Sequence, residues 1–339
     1  MPESRPARFF FRNVGKPHSF AGTMKHSFHR RDFLKTAGQT ALALAGLGLL
    51  GRSPGVAVEP PKRLGSARFR LSLAAYSFRQ FFTSNNRKAA KPKDTARQIT
   101  LEDFVDYCAD HGCDGAELTS YYFPEGFDAD YLLKLRRHAF LRGVEISGSA
   151  VGNNFALPEG PERDQQIAMV KKWVDHCALL GAPHIRVFAG PAGKLDLATA
   201  KKLCIAALEE SGDYAGSKGI FLGVENHHGI VTEPEDLLEI IRTVKCPWVG
   251  INLDSGNFQT DDPYADLAKC APYAVNVQFK SQILRRGRKQ KEPADLARVV
   301  KLLRAANYQG YFVLEYEAPE DPWVAVPELL KQMKTALAA

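Results

Sequence analysis

Ile220-Phe221-Leu222-Gly223-Val224-Glu225 and Val249-Gly250-Ile251-Asn252-Leu253-Asp254 are two runs of one design. In each, every second residue is aliphatic, and the opposite set ends in a carboxylate. A strand sends successive side chains to opposite faces, so the aliphatic set packs against helices while Glu225 and Asp254 point the other way. Between them lies a segment, 233–244, with the 3.6-residue periodicity of an amphipathic helix. A strand, a helix and a second strand with a buried face make a parallel βαβ unit.

The same alternation extends in both directions. Strand candidates occupy 69–76, 115–118, 144–150, 184–188, 220–225, 249–254, 274–279 and 310–315. The helices between them open with capping residues: Thr100, Asp128 and Thr232 each precede a helical run. Eight such units with no break in composition predict an α/β protein with a single domain at 58–339, a closed (β/α)8 TIM barrel. Period two then sends further polar residues inward. These are Tyr76 on strand one, Glu117 on strand two, His184 and Arg186 on strand four, Asn276, Gln278 and Lys280 on strand seven, and Glu315 on strand eight.

The 339 residues carry a formal net charge of +7, which invites a nucleic-acid reading. Its location removes that reading. Residues 1–57 hold nine of the 45 Lys and Arg residues and two of the 38 acids, leaving 36 of each in the body. The basic leader reads His29-Arg30-Arg31-Asp32-Phe33-Leu34-Lys35 and continues into an uncharged apolar run of about 16 residues, short of the roughly 20 that span a bilayer. It resembles a twin-arginine export signal, with cleavage expected near Ala57 and Met24 available as a start, so that 1–23 would be an upstream mis-start. The expectation is a periplasmic protein, passed across by the twin-arginine machinery and left with no stable membrane span. The six cysteines lack paired metal spacing and read as small buried apolar residues, the alternative being one or two late disulfides.

Strand ends at the carboxyl side are where enzymes of this architecture keep their sites. Glu225, Asp254 and Glu315 meeting there would resist ionising together unless a cation sat among them. A metal ion is the expected cation; the alternative is a buried ion network in which Arg186 and Lys280 pair with the acids.

These residues resemble the xylose isomerase-like sugar phosphate isomerases and epimerases, which share a barrel with ketose 3-epimerases and endonuclease IV. The resemblance covers roughly 67–335 and rests on LAAYSFR (73–79), IRVFAG (185–190), GVENHHG (223–229), NLDSGNF (252–258) and FVLEYE (312–317). It implies one divalent metal held by Glu225, Asp254, Gln278 and Glu315, with Gln278 standing where the family commonly has His. Oxygen ligands alone favour Mn2+ or Mg2+. It further implies an isomerase or epimerase in which Glu225 and Glu315 exchange a carbon-bound proton through an enediolate. Glu117, Asn154, His184, Arg186, His228, Lys280 and Tyr76 are the candidate substrate-binding residues. The DSGNF turn departs from the ketose epimerases, with Asn257 in place of a substrate-binding His.

Export shifts the expected substrate from a sugar phosphate to a free or oxidised sugar. A lyase or hydratase on 3-keto-glycosides begins with the same proton abstraction and is the alternative, and a sugar-binding barrel without turnover is a third reading. Endonuclease-type DNA cleavage lacks both the His-rich zinc cluster and the basic face it needs. The sequence leaves the oligomeric state open.

Overall fold

The structure, a computed structural model, describes residues 58–86 and 97–339. The export signal expected at 1–57, with Met24, lies outside the described residues.

Eight parallel strands close into a barrel: β1 (Arg68–Ala74), β2 (Gly115–Thr119), β3 (Glu145–Ala150), β4 (His184–Val187), β5 (Phe221–Glu225), β6 (Val249–Asp254), β7 (Ala274–Phe279) and β10 (Gln309–Leu314), which pairs back onto β1. Two short antiparallel strands, β8 (Gln282–Ile283) and β9 (Glu292–Pro293), form a hairpin after β7. Each barrel strand is followed by a helix: α1 (Leu101–Asp110), α2 (Ala129–Leu141), α3 (Pro161–Leu180), α4 (Leu197–Ser217), α5 (Pro234–Thr243), α6 (Pro263–Cys270), α7 (Leu296–Ala305) and α8 (Pro322–Ala338). This is the (β/α)8 TIM barrel that the alternation predicts. Among the described residues no helix is long and apolar enough to cross a membrane.

Two of the three expected caps act as such. Thr100 forms a full capping box with Asp103, and the Asp128 side chain accepts from the Tyr131 N–H. At α5 the cap position falls on Glu233, not Thr232. Pro234 sets the first helical residue, so Thr232 lies one residue too early and its hydroxyl donates instead to the Gly229 carbonyl at 2.9 Å. Strand one also stops short of its expected end. After Ala74 the chain enters a 3-10 turn (Ala75–Phe78), where Tyr76 is half-buried and Ser77, which donates to the Leu314 carbonyl, is the buried polar residue. Tyr76 therefore lies in this turn and not on a strand.

The apolar core lies between the strands and the helices, and includes Leu73, Leu118, Ile185, Leu222, Val224, Ile251 and Leu253. Inside the barrel the only separate apolar group among the described residues is Ala74, Tyr311 and Val313. The remaining inward positions are polar and buried, among them Ser72, Glu117, Ser147, His184, Arg186, Glu225, Asn252, Asp254, Asn276 and Gln278. A barrel interior usually fills with branched aliphatic layers. Here the buried polar groups must satisfy one another, and that requirement shapes the site. All six cysteines are buried and unpaired.

Candidate active site at the barrel mouth

The inward residues separate into two levels. The deeper one is a network of amides around Glu117, whose carboxyl group is fully buried. Gln278 donates through Nε2 to Glu117 Oε1 at 2.7 Å, and Asn276 donates to Glu117 Oε2 at 3.1 Å. Asn276 also donates to Asn252 Oδ1 at 2.8 Å, and Asn252 Nδ2 in turn donates to Gln278 Oε1 at 2.7 Å. Burial, then the charge of Glu315, pushes the Glu117 carboxyl up to about 8. His184 sits at this level, its Nδ1 3.0 Å from the Ser147 carbonyl oxygen and its Nε2 3.7 Å from Glu117 Oε2. Burial lowers the His184 imidazole to about 4, so it is neutral and the contact with Glu117 is not an ion pair. Gly148 makes room for the ring: a Cβ there would lie 2.0 Å from His184 Cε1.

The upper level carries the charges. Arg186 Nε lies 2.9 Å from Glu225 Oε2, and Arg186 Nη1 donates to the Val151 carbonyl at 2.7 Å. The other Glu225 oxygen accepts from Asn257 Nδ2 at 2.7 Å. Burial lifts the Glu225 carboxyl to about 7, against the pull of Arg186. Lys280 Nζ lies 2.7 Å from Glu317 Oε2, 3.2 Å from Asp254 Oδ2 and 3.4 Å from Glu315 Oε2, and donates to Asn257 Oδ1 at 3.0 Å. Burial opposes its charge, but the carboxylates around it outweigh burial and hold the ammonium well above its ordinary value. Burial raises Asp254 also; its Oδ1 accepts from the Gly256 N–H at 2.8 Å, while Oδ2 faces Lys280 without an aligned hydrogen bond. Asn226 pins Asp254 in place, accepting from its N–H at 2.7 Å and donating to its carbonyl at 2.9 Å.

Of the residues that sequence reasoning selects, Arg186, Glu225, Asp254, Lys280 and Glu315 meet at the mouth. Glu117, His184 and Gln278 lie in the level below. His228 stands at the rim, its ring against His227, and burial followed by Lys280 lowers its basicity. Asn154 belongs to the loop after β3: its Oδ1 accepts from the Ala156 N–H at 2.9 Å and packs against Gly190. Two participants were not selected. Glu317 follows Glu315 by two residues, which is the signal that could have found it. Asn257 bridges Glu225 and Lys280, a role visible only once the β6 and β7 ends are side by side.

The donor set, as arranged, does not fit a divalent ion. The place between Asp254 and Glu315 is taken by the Lys280 ammonium, and the Gln278 carbonyl oxygen is engaged by Asn252. Among the described residues no three His, Cys, Asp or Glu side chains are spaced to hold a metal.

A closed parallel barrel with acids and bases gathered at the carboxyl ends of its strands defines a class of enzyme scaffold. Residues 105–333 match the xylose isomerase-like TIM barrel family, and the chain belongs to that family. A search of curated protein sequences finds no match. Among solved structures, a D-psicose 3-epimerase crystallised in the presence of D-fructose is similar, with 16% identity, a TM-score of 0.59, and coverage of 79% of this chain and 97% of that one. The E. coli 3-keto-D-glucoside 4-epimerase is similar with 18% identity, a TM-score of 0.59, and coverage of 79% and 100%. The IOLI protein, solved with a bound zinc atom, shows 18% identity, a TM-score of 0.60, and coverage of 79% and 96%. At such identities the likeness is one of fold.

Proposed function

We propose that this protein is a sugar isomerase or epimerase that moves a proton at a carbon next to a carbonyl, with Glu225 and Glu315 as its acid and base. One observation carries the reading. Glu225 is a buried carboxyl lifted to about 7, where it can both take and return a proton near neutral pH, and it is aimed by Arg186 and Asn257. Glu315 stands across the mouth, beyond Lys280. A sugar carbon seated between them could lose a proton to one carboxylate and regain it from the other, or from the same one on a neighbouring carbon. Negative charge that develops on the sugar oxygen would be met by the cations of the mouth. The Lys280 ammonium stands where a divalent ion between Asp254 and Glu315 would have to sit.

The substrate class we favour is a free or oxidised sugar. The names of two similar structures, a ketose epimerase and a 3-keto-glucoside epimerase, support a keto-sugar. A cleft of about 530 Å³ lined by Ser77, Arg79, Gln80, Tyr316 and Glu317 adjoins the mouth at Glu317, and would accept a second ring or an aglycone. That cleft keeps the lyase on 3-keto-glycosides as the second reading. Export by the twin-arginine route, argued from the leader alone, would put the activity in the periplasm; fractionation of cells expressing the full chain tests it.

The deciding experiment incubates the protein with a panel of keto-sugars and keto-glycosides in D2O and follows deuterium entering the substrate. Exchange at one carbon of one substrate is expected. Glu225→Gln and Glu315→Gln should each lower it by about 10²-fold or more, the usual contribution of a positioned acid or base. Exchange unaffected by both substitutions would sink the assignment. Release of an aglycone would move the protein to the lyase reading.

A further inference from the structure

We infer that Lys280 is a built-in replacement for the metal ion: its ammonium supplies the cation around which Asp254, Glu315 and Glu317 assemble, and the site is complete without a divalent ion. Lone lysines on a surface reach toward acids routinely. This one is different in three respects.

First, the ammonium is buried and ringed by oxygens. Glu317, Asn257, Asp254 and Glu315 all lie between 2.7 and 3.4 Å from Nζ. Those are ammonium distances. A divalent ion draws its oxygens in to about 2.0–2.6 Å, so the same carboxylates cannot serve both cations at once. Second, the stem that carries the ammonium is held. Ser255 Oγ accepts from the Lys280 N–H at 2.9 Å, and a Cβ on Gly256 would lie 2.8 Å from Lys280 Cβ and 3.0 Å from Cδ. The absence of a side chain at 256 gives the methylenes their slot, and the turn after β6 closes over them. Third, the remaining oxygen donor that a metal would use is committed elsewhere. Gln278 gives its carbonyl to Asn252 and its amide to Glu117, so turning its oxygen to a metal would compete with the buried Asn252 amide for its acceptor.

A fixed internal cation has a chemical consequence. It can neutralise and hydrogen-bond a developing enediolate oxygen as a metal does, with donors of its own, and it is not lost to chelators. The inference concerns the cation alone and stands or falls apart from the substrate assignment, because its test needs no turnover.

Purified full-length protein is dialysed against EDTA, analysed for metals, and then titrated with MnCl2 while Mn2+ binding is read by electron paramagnetic resonance and Tm by calorimetry. The wild type is expected to hold no stoichiometric metal and to show no rise in Tm with Mn2+. Lys280→Met, which vacates the position but keeps the stem, is expected to bind one equivalent of Mn2+ and to gain Tm with it. Gln278→His keeps Lys280 and is expected to bind none, which preserves the test should the Met variant fail to fold. One equivalent of divalent metal retained by the wild type after dialysis, or a wild-type Tm raised by Mn2+, would overturn the proposal; so would a folded Lys280→Met protein that binds no Mn2+.

Discussion

Glu117 shows what burial does to a single acid here. Its carboxyl accepts from two amides, yet burial and the charge of Glu315 push it up to about 8 against the pull of Arg186. The native state therefore keeps this proton to about pH 8, while the unfolded chain releases it near the ordinary value of 4.5. With more protons bound in the native state, stability is full below the unfolded value and declines as pH rises towards about 8. Glu225, lifted to about 7, acts in the same direction. We expect Tm to fall between about pH 5 and pH 8, and Glu117→Gln, which has no proton to lose, to flatten that fall without abolishing it. Calorimetry of both proteins across the range checks this; identical slopes would show that Glu117 does not carry the shift.

At the scale of the element, two threonines separate cap chemistry from sequence appearance. Thr100 accepts from the Asp103 N–H at 3.2 Å while Asp103 accepts from the Thr100 N–H at 2.9 Å, so both ends of the box are closed. Thr100→Ala should cost about 1 kcal/mol of stability and leave the hydrogen exchange rate unchanged, since α1 packs on the outside of the barrel. Thr232 looks equally suited to open α5, but caps nothing. Thr232→Ala should stay within about 0.5 kcal/mol of wild type. Denaturant unfolding of the two variants side by side distinguishes them, and an equal loss from both would contradict the assignment of the α5 cap to Glu233.

For the molecule as a whole, stability rests on packing between strands and helices without covalent ties. All six cysteines are free and buried, and burial raises the thiols of Cys108, Cys177, Cys204, Cys246 and Cys270. A thiol reagent should label none of them in the native protein and all six after denaturation without reductant. Fewer than six in the denatured chain would reveal a disulfide and restore the alternative considered from the sequence.

Much of this architecture is written along the chain itself. Alternation of aliphatic and polar residues in 220–225 and 249–254 fixes which face each strand buries, and eight repeats of strand and helix leave little besides a barrel. The same rule sends Arg186, Glu225, Asp254, Lys280 and Glu315 inward, because the face a side chain takes depends only on its own strand. Strand ends were legible to within a residue or two, with 75–78 forming a 3-10 turn in place of the last residues expected for strand one. What no local rule could decide is which inward side chain meets which. Gln278 pairs with Glu117 across 161 residues of sequence, and Lys280 draws together acids from β6 and from the turn after β10. Those pairings follow from the closure and tilt of the barrel and from the need of every buried polar group for a partner. Three inward carboxylates announce that a cation belongs among them, a metal ion or the Lys280 ammonium by sequence alone; only the folded chain shows the ammonium standing in that place.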